Sequence, residues 1–151
     1  MVEYVLIGVP LLTGYATSLA CKMSSKSGQS VAFRPPSVVF GIVWPILYIM
    51  MGVSWCFSAQ QTKKGTDNML VHIFNAFLVT ALVTWMIVYA CGKNKQAAVF
   101  VLLISVLLAL AVYTVAPSLM TKLLVLPLVA WLGFATLMNA TEVQHESLLR
   151  E

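Results

Sequence analysis

The stretch 33-FRPPSVVFGIVWPILYIMMGVSW-55 decides how the rest of this chain is read. After Pro35 and Pro36 it carries no charged side chain, and it is apolar for long enough to cross a bilayer as a helix. Phe40, Trp44, Tyr48, Met51 and Trp55 recur at the i, i+4, i+8, i+11, i+15 spacing that collects them on one helical face. Such a face in lipid can meet acyl chains, pack on another helix or line a cavity. Two neighbours favour a cavity. Pro45 withholds a backbone donor and loosens the ladder near Gly41, beside Trp44, and Pro35 and Pro36 stiffen the preceding loop into a lid over the helix end.

Outside this stretch the same solvent is implied. Apolar residues make up 60% of the 151-residue chain and charged residues only 9%, with a mean hydropathy of +0.91, well above soluble domains. Five apolar runs, 2–20, 38–59, 69–91, 97–116 and 123–141, each about 19–23 residues long, match the ~30 Å hydrocarbon core. They are separated by polar segments, CKMSSKSGQS, QQTKKGTDN, GKNK and the Pro117–Ser118 pair, and end in the tail EVQHESLLRE. The reading is a single domain over 1–151, an all-α integral membrane bundle of five transmembrane helices. A tight hairpin accounts for the short break at Pro117 and Ser118 more simply than four spans plus a re-entrant segment. Glu3 replaces the basic start of a cleavable signal, so the first run is expected to be retained.

The net charge of +4 is dispersed over connecting segments, which suits topology rather than nucleic-acid binding. Lys22, Lys26, Arg34, Lys93, Lys95 and Arg150 fall on one face, and Lys63, Lys64 and Lys122 on the other. The positive-inside rule then puts the first loop, the third loop and the C-terminus in the cytoplasm. None of the five runs contains a Lys, Arg, Asp or Glu beyond its ends, which argues against pumps, ion-coupled transporters and charged-ring channels. His72 and His145 lack partners at metal-ligand spacing, and Cys21, Cys56 and Cys91 are expected to act as small apolar residues. No metal or required cofactor is implied. Gly14 and Ser18 form a small-xxx-small pair suited to close helix approach.

In the fifth run, Trp131, Ala135, Met138 and Asn139 share a face and offer a second wall, with Ala135 leaving space beside larger side chains. Asn139 must bond to a neighbouring helix or orient a ligand, the former being the commoner use.

With these residues in view, the chain resembles the TspO/MBR family. The match is carried by FRPP, by Phe40 with VWPILYIMMG (43–52), and by PLVAWLGFATLMN (127–139); Trp85 fits the family's third-helix tryptophan. Phe33 stands where the family has its first tryptophan, and Leu82 where it has asparagine. The resemblance implies a five-helix bundle, commonly a homodimer, with a cavity capped by the first loop. Implied ligands are porphyrins such as protoporphyrin IX and haem, with cholesterol in animals and synthetic benzodiazepine-site drugs. Phe33, Pro35, Pro36, Phe40, Trp44, Tyr48, Trp85, Trp131, Ala135, Met138 and Asn139 are the ligand-binding set it points to. Trp44 and Trp131 would be the catalytic pair if light-dependent porphyrin breakdown, described for some bacterial members, applies. Lipid or sterol transport is a further alternative, but Ala140 and Gln144 occupy the positions of the family's sterol motif.

Overall fold

The computed structural model describes residues 2–151, and every regular element among them is helical. The helices are α1 (Val2–Ala20), α2 (Ser37–Thr62), α3 (Thr66–Met86), α4 (Lys95–Val115) and α5 (Leu119–Leu148), with α3 running on into one π-helical turn, Ile87–Cys91. All five are long and apolar enough to span a membrane. This is the architecture the five runs predict, because in lipid each backbone polar group must be satisfied within its own helix.

Helix ends follow local chemistry. Ser118 caps α5 reciprocally: its Oγ accepts the Thr121 N–H at 3.4 Å, while Thr121 Oγ1 accepts the Ser118 N–H at 3.2 Å. The connection from α4 is therefore a tight hairpin and not a re-entrant segment. Asn94 caps α4 by accepting the Ala97 N–H at 3.0 Å. The largest departure from expectation is α5, which continues to Leu148 rather than stopping at 141. Residues 142–148 contain neither Gly nor Pro, and Glu142 turns inward and is buried. α2 runs through Pro45 without interruption.

α2 is the hub of the bundle, touching α1, α3 and α5, while α3 packs on α4 and α4 on α5. Met51, Leu78, Leu82, Leu102, Leu128 and Leu132 form its fully buried centre. Leu12, Ile42, Phe77, Phe100, Leu107 and Leu137 point outward, as a lipid-facing surface requires. Two buried polar groups find partners across helices: Ser54 donates to the Thr121 carbonyl at 2.8 Å, and the Trp55 indole N–H donates to His72 Nδ1 at 3.1 Å.

Two glycines set how closely α1 approaches α2. A Cβ on Gly52 would lie 2.2 Å from the Ile7 carbonyl oxygen, and one on Gly14 would lie 2.5 Å from the Tyr48 ring. The small-residue signal at Gly14 thus serves packing within the chain.

One expectation is overturned. Cys21 and Cys91, read as inert small residues, form a disulfide with Cα atoms 5.2 Å apart across 70 residues of sequence. The end of α1 and the π-helical turn meet on the same face of the bundle, a proximity that spacing alone does not reveal. Cys56 remains a free, buried thiol.

Replacing Gly52 with Ala should lower stability by about 1–3 kcal/mol or more, because the obstacle is backbone and cannot rotate away. Thermal unfolding of the purified protein in detergent reads this, and Gly41→Ala, whose Cβ would meet nothing within 4 Å, should leave the midpoint nearly unchanged.

Candidate functional site

A cavity of about 510 Å³ opens between α1, α2, α3 and the 22–36 loop. The aromatic ladder builds its wall. Trp44 on α2 stacks on Trp85 of α3, with centroids 5.5 Å apart and planes at 29°. Trp85 stacks on Tyr89 at 5.9 Å and 30°. Tyr48 lies 5.6 Å from Trp44, tilted at 33°. The result is a continuous array of π faces, a surface suited to flat apolar molecules. α1 faces it with Leu11, Gly14, Tyr15 and Ser18, two small residues among two large ones.

The 22–36 loop closes one end. Its successive turns are held by the Ser27 N–H on the Ser24 carbonyl (3.0 Å), the Val31 N–H on the Gly28 carbonyl (3.0 Å) and the Arg34 N–H on the Val31 carbonyl (3.1 Å). Val31 is 4% exposed and plugs the loop into the bundle. Gly28 has φ +74°, a conformation that disfavours other residues, and a Cβ there would sit 3.2 Å from the Arg34 side chain. Arg34 in turn lies over the Phe40 ring at 5.3 Å.

Glu142 fastens this end. It is 3% exposed, and its two oxygens accept from three separate segments: the Gly28 N–H at 3.0 Å, Lys95 Nζ at 2.7 Å and the Tyr89 hydroxyl at 2.7 Å. Lys95 also pairs with Glu146. Buried carboxylates are tolerable only when so fully satisfied. The disulfide adds a covalent tie at the loop's beginning, since Cys21 lines the cavity and Cys91 closes the π-helical turn that carries Tyr89.

Of the expected ligand-binding residues, Phe40, Trp44, Tyr48, Trp85 and Met138 line the cavity. Trp131 does not: it stands behind the wall, 5.7 Å from Phe40 and 6.3 Å from Trp44 in edge contacts, and its indole N–H has no partner among the described residues. Ala135 is buried in the bundle core. Asn139 donates to the Ala135 carbonyl at 3.1 Å and accepts the Trp85 indole N–H at 3.5 Å, which is the interhelical bonding role. Phe33 is half exposed and rests 6.1 Å from Phe134, while Pro35 and Pro36 lead into α2 outside the cavity lining. The second wall is therefore mostly α1, with α5 contributing Met138 and Glu142.

Sequence reasoning missed Tyr89, Glu142, Arg34 and the serines of the loop. Tyr89 follows Trp85 at i+4, so extending the aromatic ladder to the third run would have found it. By sequence Glu142 reads as part of a polar tail, whereas it lies within α5 and is buried, so the absence of charge within the spans is corrected at this residue. His72 is occupied by Trp55, His145 is exposed, and no cluster of metal-ligating side chains exists among the described residues.

The TspO/MBR family model matches residues 2–144. No curated protein matches the chain.

Removing the Glu142 charge tests the fastening. Glu142→Gln should cost about 2 kcal/mol, as expected when hydrogen bonds to a charged group are lost, and should speed tryptic cleavage at Lys22 and Lys26. Glu146→Gln, at the more exposed partner, should change neither appreciably.

Proposed function

We propose, from the premise that this chain belongs to the TspO/MBR family, that it is a membrane receptor whose capped cavity holds a porphyrin such as protoporphyrin IX or haem. The observation that carries this reading is the Trp44–Trp85–Tyr89 array beside a cavity of about 510 Å³. That volume falls in the range of pockets that enclose drug-sized ligands, roughly 300–1,000 Å³. Stacked rings reward planarity, so a tetrapyrrole suits the wall better than a puckered sterol. Ligand enclosure, with no charge-lined path across the bundle, favours reception and storage over pumping. The same premise carries the expectation of a homodimer in the bilayer.

Titrating protoporphyrin IX while following tryptophan fluorescence checks the site. Trp85→Ala should weaken binding about tenfold, the scale of an aromatic stacking contact plus lost burial. Trp131→Ala should weaken it less, acting through Trp44, and Phe33→Ala should leave it unchanged. Equal affinity in the wild type and Trp85→Ala would remove the wall from the site.

For orientation we propose that the face bearing the 22–36 loop, residues 92–94 and the C-terminus is cytoplasmic, on the strength of its six basic residues against three on the other face. The Cys21–Cys91 bridge lies on that face and favours the opposite reading, because cytosolic reductants keep thiols open. In sealed cells a membrane-impermeant maleimide should spare Ser147→Cys and label Lys64→Cys. The reverse pattern overturns the charge-based orientation and assigns the bridge to an oxidising compartment.

A further inference from the structure

We infer that Arg34 is an anchoring group for an acid substituent, so that the cavity selects flat apolar ligands that carry a carboxylate over neutral molecules of the same shape. The inference rests on the reading of the cavity as a tetrapyrrole site and specifies which chemistry is held at its mouth.

Two charged side chains line the cavity, Arg34 and Glu142. Glu142 is spoken for, both oxygens being taken by Gly28, Lys95 and Tyr89. Arg34 is not. Its guanidinium has five N–H donors, yet its hydrogen bonds are two long ones to neutral acceptors, the Pro35 carbonyl at 3.4 Å and Ser37 Oγ at 3.3 Å. No carboxylate of the described residues pairs with it. A half-buried guanidinium at the edge of an apolar space, without a counter-charge, is an unfilled anion site.

Its position is held from two sides. The Phe40 ring lies beneath the guanidinium at 5.3 Å, and Phe40 itself is braced edge-on by Trp131. On the other side the Gly28 backbone presses against the stem, at a spacing where a Cβ would lie 3.2 Å from Cδ and Nε. Gly28 is in turn tied to Glu142. The charge is thereby set at the loop end of the aromatic wall, and Ser24, Ser25 and Ser27 of the same loop also line the cavity. A ring system lying along Trp44 and Trp85 would direct an acidic side arm toward this rim.

The test compares protoporphyrin IX with its dimethyl ester, which keeps the ring and removes both charges, on the full chain in detergent micelles. Wild type should bind the diacid about ten- to a hundredfold more tightly, the scale of a hydrogen-bonded charge pair away from bulk water. Arg34→Gln should bind both at the wild-type ester affinity, which also shows the cavity intact. Arg34→Lys should retain part of the preference as a point charge without the planar fork. Equal binding of acid and ester by wild type, or an undiminished preference in Arg34→Gln, overturns the inference while leaving the tetrapyrrole reading standing. If wild type binds neither compound, the tetrapyrrole reading itself fails and this inference with it.

Discussion

A carboxylate buried in the C-terminal part of α5, beyond its apolar stretch, is the constraint around which this bundle is completed. Glu142 can remain buried only because the Lys95 ammonium, the Tyr89 hydroxyl and the Gly28 backbone N–H all converge on it. Each belongs to a different segment: the start of α4, the π-helical turn after α3, and the 22–36 loop. Meeting the electrostatic demand of one side chain therefore fixes three pieces of chain that apolar packing would leave free to slide. A π-helical turn commonly marks a place where local geometry has yielded to function. Here it carries Tyr89, which stacks on Trp85 and donates to Glu142 at once.

The wall and the fastening are thus one construction. Trp85 is stacked between Trp44 and Tyr89, and its indole N–H points to Asn139 on α5. Trp131, though outside the cavity, sets the edges of Phe40 and Trp44 from behind. Because no water reaches the hydrocarbon core to compete, a stacked array held by polar contacts at its margins is well defined in orientation. The open side depends on absence of bulk: Gly14 brings α1 against Tyr48, and Gly52 brings it against α2 at Ile7. Larger residues at either place would push α1 outward and widen or collapse the space it borders.

The spans are legible because transfer to lipid is a property of each run by itself, and α1 through α4 begin and end within about three residues of where hydropathy changes, α2 and α3 taking in the polar residues 60–62 and 66–68. The same measure fails at α5. Residues 142–148 are mostly polar, so they read as a tail, and Gln144, His145 and Ser147 are indeed exposed, yet Glu142 is buried and satisfied inside the protein. Glu142 is invisible to any local rule, since Gly28, Tyr89 and Lys95 lie 114, 53 and 47 residues away. The Cys21–Cys91 bridge is hidden for the same reason, joining residues 70 apart. The aromatic ladder of α2 puts Phe40, Trp44 and Tyr48 on the cavity but Met51 and Trp55 in the core, because periodicity states which residues point together and not what they point at. By the same limit, periodicity sets Trp131 on a second wall, where the structure has it behind Phe40 and Trp44, and leaves Tyr89, one turn beyond Trp85, unassigned.

The two sides of the cavity differ in how they are held, and this bears on how a ligand enters. The α2–α3 wall is backed by the buried core, where Met51, Leu78 and Leu82 exclude any easy rearrangement. The 22–36 loop is attached at discrete points: the bridge at Cys21, the Gly28 contact with Glu142, and the Val31 plug. Opening a packed helix interface exposes apolar surface along its whole length, whereas lifting a loop breaks a few contacts near the aqueous boundary, where water can replace the polar ones. On the proposed reading, the loop end is the lower-energy route of entry, and it would bring a ligand past Arg34 before Trp44, so that charge acts at the mouth and stacking in depth.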